Sequence, residues 1–221
     1  MGKTNGRLTC SDCAVMSCYR RYKDFPQFCL TDSTSSKLLE QVTQLYSRNG
    51  LDAKIAHAAA EVEGLYYGKL TRVEEIMKLA KGIDAVKIGV ATCIGLMEET
   101  RTFVQILKAN ALIPYTVICK VGSIDKTEIG IPEDLKVLKG SHEAICNPVL
   151  QAKLLNRHKT DFNVIVGLCV GHDSLFIRHS DAPVTTLITK DRVLCQNPAA
   201  ALYGTSFYYK RLLNPEAEKK G

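Results

Sequence analysis

The sequence has no apolar run of the roughly 18–20 residues that a membrane-spanning helix needs. Its start, MGKTNGRLTCSDC, lacks the apolar core of a secretory signal. Its basic residues are scattered, without a Lys/Arg block or interleaved aromatic residues, and the formal net charge is only +6. We therefore expect a cytoplasmic protein with no membrane and no nucleic-acid partner.

Several catalytic signatures are absent as well. The chain contains no Walker phosphate loop, no dinucleotide-binding G-x-G-x-x-G and no zinc-protease H-E-x-x-H. The segment VGHDSLF is not a serine-hydrolase elbow, because Ser174 lacks the flanking glycines. The sequence thus gives no support to these four classes of chemistry.

Cysteine, in contrast, is abundant. The chain has nine cysteines in 221 residues, and 46% of its residues are hydrophobic, which is enough for a packed core. In a reducing cytosol these cysteines are not expected to form disulfides. Metal binding or thiol reactivity is the leading explanation for them.

The composition changes along the chain and predicts three parts. Residues 1–32 form a Cys-rich metal-binding segment with little periodicity, and residues 33–84 form a helical region. From residue 85 to residue 221, apolar β-branched runs alternate with amphipathic helices. This alternation predicts an α/β fold with a mainly parallel open sheet and flanking helices.

Within the α/β domain, AVKIGVATC, PYTVICKVG and FNVIVGL are predicted to be buried strands. Helices are predicted between them, one of which has Pro148 in its first turn. The segment PVTTLITKDRVLCQNPAAALYG predicts two short strands around Lys190 and Asp191, and then a helix from Pro198.

Four cysteines fall within the Cys-rich segment. A pair with two intervening residues can direct both thiolates at one ion, and a second pair can complete a tetrahedron around zinc with Zn–S distances of about 2.3 Å. The same four thiolates could hold an iron–sulfur cluster, so the choice between the two stays open. The alternative is four unrelated cysteines in a loop. The candidate ligands are Cys10, Cys13, Cys18 and Cys29.

Other cysteines fall where predicted strands end and helices begin. Cys93 ends one strand, Cys169 ends another, and Cys146 precedes the helix at Pro148. Cys119 lies near the end of a further strand and is a fourth candidate. In an open α/β sheet these positions share one edge, where ligands bind and where helix N-termini favour thiolates.

Thiolates that converge on this edge predict a second metal or iron–sulfur site, held by Cys93, Cys146 and Cys169 with Cys119 as a further ligand. Three thiolates on a [4Fe-4S] cluster would leave one iron open to a substrate. Alternatively, each cysteine simply packs as a small hydrophobic residue. Glycines near this edge would let the backbone approach a ligand. These glycines are Gly95, Gly167 and Gly171.

Two residues at this edge are candidate catalytic groups. Cys169 could act as a nucleophile activated by the helix that follows it. His172 could donate a proton or orient a ligand, while Asp173 is more simply a helix cap. Cys195, in VLCQNP, is expected to be structural.

These motifs together resemble a family. CSDCAVMSC with Cys29, IGVATCIGL, CKVG, CNP, GLCVGHDSLF and APVTTLITKDRVLCQNPAAALY are similar to the domain of unknown function 1847 family of uncharacterised bacterial and archaeal proteins. The resemblance covers nearly the whole chain, and the last two motifs are the specific ones. It implies metal binding by cysteines and implies no particular reaction.

Three functions follow as hypotheses. The first is an iron–sulfur protein with two centres, either a redox protein with a partner protein or an oxidoreductase or lyase with a small substrate. The second is a non-catalytic protein that binds or senses zinc or another thiophilic metal. The third is a thiol enzyme that uses Cys169 and has only structural zinc.

Overall fold

The structure, a computed structural model, describes residues 8–20, 22–47 and 49–214. The density of internal contacts divides the chain into two compact units, one ending at Ala60 and the other beginning at Glu61. Within the described ranges, no helix combines the length and the apolar character needed to cross a bilayer. The division into three parts by composition stays a prediction.

The first unit consists of short turns and helices. Among the described residues of the Cys-rich segment, the first regular element is a 3₁₀ turn at Cys10–Asp12. Ser17 is buried, and its Oγ donates a hydrogen bond to the Asp24 carbonyl at 2.8 Å, which stabilises the chain after the short helix that begins at Ser17. The helices are α1 (Ser17–Arg20), α2 (Leu30–Ser33), α3 (Ser36–Ser47) and α4 (Leu51–Tyr66), of which the last continues into the second unit.

The second unit is built on a parallel sheet. The strands are β1 (Lys87–Thr92), β2 (Ile113–Ile118), β3 (Phe162–Val166) and β4 (Val184–Ile188). They lie in the order β2-β1-β3-β4, and every neighbouring pair runs in parallel. The helices are α5 (Arg72–Gly82), α6 (Met97–Ala109), α7 (Pro148–Arg157), α8 (His172–His179) and α9 (Ala199–Tyr203). The α/β fold with a parallel sheet and flanking helices is therefore confirmed.

The two central strands carry the core of the sheet. Every residue of β3 is buried, and so is every residue of β1 after Lys87. Such continuous apolar runs are typical of parallel strands that are covered on both faces. Because β1 and β3 pair with each other, the strand order reverses between them, and ligands bind at this switch point in open α/β sheets.

The chain after β4 differs from the prediction. The prediction of a second short strand around Lys190 and Asp191 is wrong, because the residues that follow Asp191 form turns. The Asp191 carboxylate accepts hydrogen bonds from the backbone N–H groups of Val193 and Leu194, at 2.9 and 2.8 Å. These bonds fold the chain back on itself. The helix predicted from Pro198 is confirmed as α9, with Pro198 at its N-cap.

Two glycines after β3 have left-handed backbones, but only one of them lies against a neighbouring side chain. Gly167 has φ +71°, and a β-carbon there would collide with the side chain of Leu96. Gly171 has φ +82°, and a β-carbon there would meet no atom within 4 Å. The room beside Gly167 is thus filled by Leu96, so packing inside the protein already requires a glycine at that position.

We expect Gly167→Ala to lower the free energy of unfolding more than Gly171→Ala does. Both variants force alanine into a left-handed backbone, which costs roughly 1–2 kcal/mol. Only Gly167→Ala also overpacks the core, which adds about 1–3 kcal/mol. Urea unfolding of both variants measures the difference, and equal losses would contradict the assignment of Leu96 as the obstacle.

Candidate functional site

Parallel pairing gathers the predicted cysteines at one edge of the sheet, which we call the rim. Cys93 follows the last residue of β1, and Cys119 follows the last residue of β2. Cys169 lies three residues beyond the end of β3. The Cys93 N–H donates to the Val166 carbonyl at 3.1 Å, so the chain after β1 stays attached to the end of β3.

Three of the rim cysteines form a contiguous row, which we call the thiol row. The Cys119 thiol is hydrogen-bonded to the thiols of both Cys93 and Cys146. Cys119 is only 1% exposed and Cys93 is 6% exposed, while Cys146 is half-buried. Residues that lie 53 positions apart in sequence, 93 and 146, therefore share one partner thiol.

Cys146 reaches the row at the end of a long loop, residues 120–146. The loop leaves the rim after β2 and returns to it, where the Asn147 N–H donates to the Cys119 carbonyl at 2.7 Å. The Lys120 ammonium donates to the Ala144 carbonyl at 2.6 Å, which joins the two ends of the loop. Asn147 then caps α7 by accepting from the Leu150 N–H at 3.0 Å.

Ion pairs hold the middle of this loop. Lys136 lies 2.9 Å from both Asp125 and Glu133, and its side chain is only 5% exposed. Lys126 and Glu143 form a second pair at 2.6 Å. Hydrogen bonds from Thr127 and Lys136 place the pKa of Asp125 well below its ordinary value. Lys126 lowers the pKa of Glu143 to about 2.

The hydrogen bonds within the thiol row separate the pKa values of its members. The bond from Cys119 lowers the pKa of Cys93 and that of Cys146. The pKa of Cys119 is raised, because its thiol is hydrogen-bonded to those of Cys146 and Cys93 and is buried among apolar side chains. The pKa of the central thiol is thus shifted in the opposite direction to those of its two neighbours.

Donors and positive charges face the row from several elements. The Ile94 N–H donates to the Cys119 sulfur at 3.3 Å, and such N–H···S bonds tune iron–sulfur clusters. Basic side chains lower the pKa values of both outer thiols. Lys190 and Arg192 act on Cys93, and Lys120 and His172 act on Cys146. His172 was predicted from the sequence to lie at this edge, and it is close enough to Cys146 to influence the pKa of that thiol.

Cys169 has a partner of its own. Arg192 donates from Nη2 to the Cys169 sulfur at 3.1 Å. The Cys169 carbonyl accepts from the N–H groups of His172 and Asp173, at 2.9 and 3.1 Å, so it is tied to the first turn of α8. Cys169 thus lies at the rim next to the row, with a guanidinium as its contact.

Beneath the row, Gln151 of α7 joins the ends of two strands. It is fully buried, and its Nε2 donates to the carbonyls of Thr92 and Val117 at 3.2 and 2.7 Å. Its Oε1 is also buried and has no hydrogen-bond partner in the described part of the chain. Gln151 therefore fixes the ends of β1 and β2, which carry Cys93 and Cys119.

The N-terminal cysteines also come together, within the first unit. They line a cavity of about 80 Å³ along with apolar side chains such as Phe25 and Phe28. The Cys13 N–H donates to the Cys10 carbonyl at 3.2 Å, which forms the tight turn predicted from their spacing. The four cysteines around this cavity are Cys10, Cys13, Cys18 and Cys29.

The cysteine side chains are thus grouped in two places, but in neither do they surround a single metal position. Across the described residues, no three histidine, cysteine, aspartate or glutamate side chains are spaced to hold one metal ion as they stand. Cys195 belongs to neither group, since it is exposed in the turns after β4.

The sequence analysis missed the basic side chains and Gln151. Lys190 and Arg192 follow β4 at the same edge as the cysteines, so the rule that located the cysteines applies to them too. They were missed because a strand was expected around them. Gln151 could have been found as a polar residue on the buried face of α7, between Pro148 and Leu155.

Comparison with known proteins agrees with the motifs. The family described as protein of unknown function DUF1847 matches residues 29–187, a range that includes all four rim cysteines. The chain belongs to this family. It is 44% identical over 206 residues to the uncharacterized protein MJ0455 of Methanocaldococcus jannaschii, covering 93% of this chain and 98% of that protein. No solved structure matches the chain.

We expect Asp125→Asn to destabilise the protein at neutral pH, because it leaves Lys136 without one of its two carboxylate partners. The folded state lowers the pKa of Asp125, so its contribution is present above the unfolded pKa of about 3.9 and is lost as the pH falls further. The stability gap between wild type and variant should therefore narrow from pH 7 to pH 3.

Urea unfolding at the two pH values measures this gap. Asp134→Asn removes an exposed carboxylate from the same loop and is the matched control. A gap that stays constant with pH, or that is reproduced by Asp134→Asn, would contradict the role given to Asp125.

Proposed function

We propose that the protein binds a thiophilic metal centre at the rim, and that this centre is an iron–sulfur cluster. The observation that carries the proposal is the thiol row, Cys93, Cys119 and Cys146, in which one buried sulfur contacts two others from separate loops. Thiolates are the ligands that such clusters require, and three of them occupy three irons of a cubane.

The surroundings of the row suit a cluster. A cluster with its thiolates is an anion, and the four basic residues around the row would compensate its charge. The Ile94 N–H already points at a sulfur, and the neighbouring side chains are apolar. A mononuclear zinc site needs all its sulfurs at about 2.3 Å from one point, whereas a cluster accepts thiolates at separate irons. The spacing of the thiols does not decide between the two, and the basic residues and the N–H donor around the row are what favour the cluster.

For the N-terminal segment we propose a second metal centre. Four thiols around one cavity of about 80 Å³ satisfy the requirement of four ligands for either zinc or a cluster. The surrounding segment has few buried residues, so the metal would supply much of the energy that folds it. We regard this centre as structural.

When bound at the rim, the cluster would supply electron transfer or an open iron to a small molecule. The chain itself would contribute His172, which lies near Cys146, as a proton donor or orienting group. Cys169 was a predicted ligand and could fill the fourth position. Its contact with Arg192 instead favours a thiol that stands free beside the centre.

The Arg192–Cys169 contact also favours a second candidate function, a thiol enzyme in which Cys169 is the nucleophile and metal is confined to the first unit. A guanidinium that holds a sulfur in place can orient it for attack on a substrate. Under this alternative the rim would carry no iron.

Anaerobic purification followed by iron, zinc and sulfide analysis tests the proposal. We expect inorganic sulfide together with iron, and a broad visible absorption that bleaches on reduction. Cys119→Ser should remove the rim share of the iron and sulfide and leave the metal of the N-terminal segment. Cys13→Ser should do the reverse.

Cys195→Ser is the matched control, because it changes an exposed cysteine outside both groups and should leave all metal in place. Circular dichroism of each variant shows whether the fold survives. Colourless wild-type protein with zinc and no sulfide would contradict the iron–sulfur proposal. An iron and sulfide content in Cys119→Ser equal to that of the wild type would contradict the assignment of the thiol row.

A further inference from the structure

Two positive side chains stand over the rim without the acidic partners that such groups usually have. A β-carbon built on Gly95 would lie 3.5 Å from Lys190 Nζ and 4.0 Å from Cys93 Sγ, so the ammonium sits beside the first thiol of the row. Arg192 contacts Cys169. Within the described ranges, neither Lys190 nor Arg192 forms an ion pair with a carboxylate.

The loop that carries these two residues is built to hold them there. Gln196 closes it by accepting from the Asp191 N–H at 2.8 Å and by donating its own N–H to the Asp191 carbonyl at 2.9 Å. Cys195 and Gln196 both have left-handed backbones, with φ of +50° and +64°. A non-glycine residue in this conformation costs free energy and persists only where the surroundings impose it. The loop is thus a strained, internally hydrogen-bonded support.

Asp191 lies between the two positive residues and could have neutralised them. Its carboxylate instead accepts from the Val193 and Leu194 N–H groups, inside the loop. The local acid is therefore used for structure, and the positive charges of Lys190 and Arg192 remain directed at the rim.

We infer that Lys190 and Arg192 form an oxyanion subsite, which binds the carboxylate or phosphate group of a small molecule next to Cys169 and the thiol row. This inference adds a substrate class to the rim centre and in that respect rests on the proposed function. A guanidinium offers paired N–H donors that match either oxyanion, and an ammonium adds a second charge. Both residues reach solvent, so a ligand can enter from the switch point between β1 and β3.

The charge preference of alkylation at Cys169 tests the subsite. Iodoacetate carries a carboxylate and iodoacetamide does not, while in both the same thiolate attacks the CH2 carbon and displaces iodide, so the ratio of their rates cancels the thiolate fraction. In the purified full-length protein, peptide mass spectrometry gives this ratio for Cys169 and, as an internal reference, for exposed Cys195. We expect the ratio at Cys169 to exceed that at Cys195 by roughly tenfold or more.

Arg192→Gln should reduce the ratio at Cys169 to nearly that of Cys195, and Lys190→Gln should reduce it in part. Lys108→Gln is the matched control, because Lys108 is exposed in the last turn of α6, far along the helix from the rim. At constant ionic strength, sodium acetate should suppress the preference if a carboxylate is the natural group. Inorganic phosphate should do so if a phosphate is, and chloride should not.

Equal ratios at the two cysteines, or an unchanged ratio in Arg192→Gln, would overturn the inference. Resistance of Cys169 to both reagents would overturn it too, because a sulfur bound to metal leaves no room beside Arg192. Metal and sulfide are measured in the same samples. A lost preference with full metal content refutes the subsite alone, and a retained preference without iron refutes the rim centre alone.

Discussion

The parallel hydrogen bonding of β1 with both β2 and β3 is the constraint on which the rest of the molecule depends. Since all strands run in one direction, each delivers the residues that follow it to the same edge. Cys93, Cys119 and Cys169 come together for this reason alone. Gln151 strengthens this constraint by donating hydrogen bonds to backbone carbonyls at the ends of β1 and β2.

The sequence was sufficient for the parts of the site that this constraint determines. Cys93 and Cys119 follow apolar β-branched runs, and such runs predict strands, so their shared edge could be inferred. The place of Cys146 depends on how the loop 120–146 returns, which rests on specific pairs such as Asp125 with Lys136. Periodicity carries no information on such pairs. The positions of Lys190 and Arg192 were not predicted for a related reason. Hydrogen bonds to the Asp191 carboxylate end the regular structure inside an apolar stretch.

The two groups of cysteines solve different physical problems. The N-terminal four lie in a segment with hardly any buried side chains, where metal ligation can replace a hydrophobic core. The rim cysteines lie on a well-packed sheet, and two of them, Cys93 and Cys119, are part of its buried core. We propose a metal centre there because buried sulfur lies at the ligand-binding edge of the sheet with basic residues around it.

Anomalous diffraction from crystals grown without oxygen would test the central claim most directly. The account predicts an iron signal at the rim, within bonding distance of the sulfurs of Cys93, Cys119 and Cys146, with Cys169 still in contact with Arg192. Anomalous signal confined to the N-terminal cysteines, with the three rim sulfurs free, or with two of them joined as a disulfide, would contradict it.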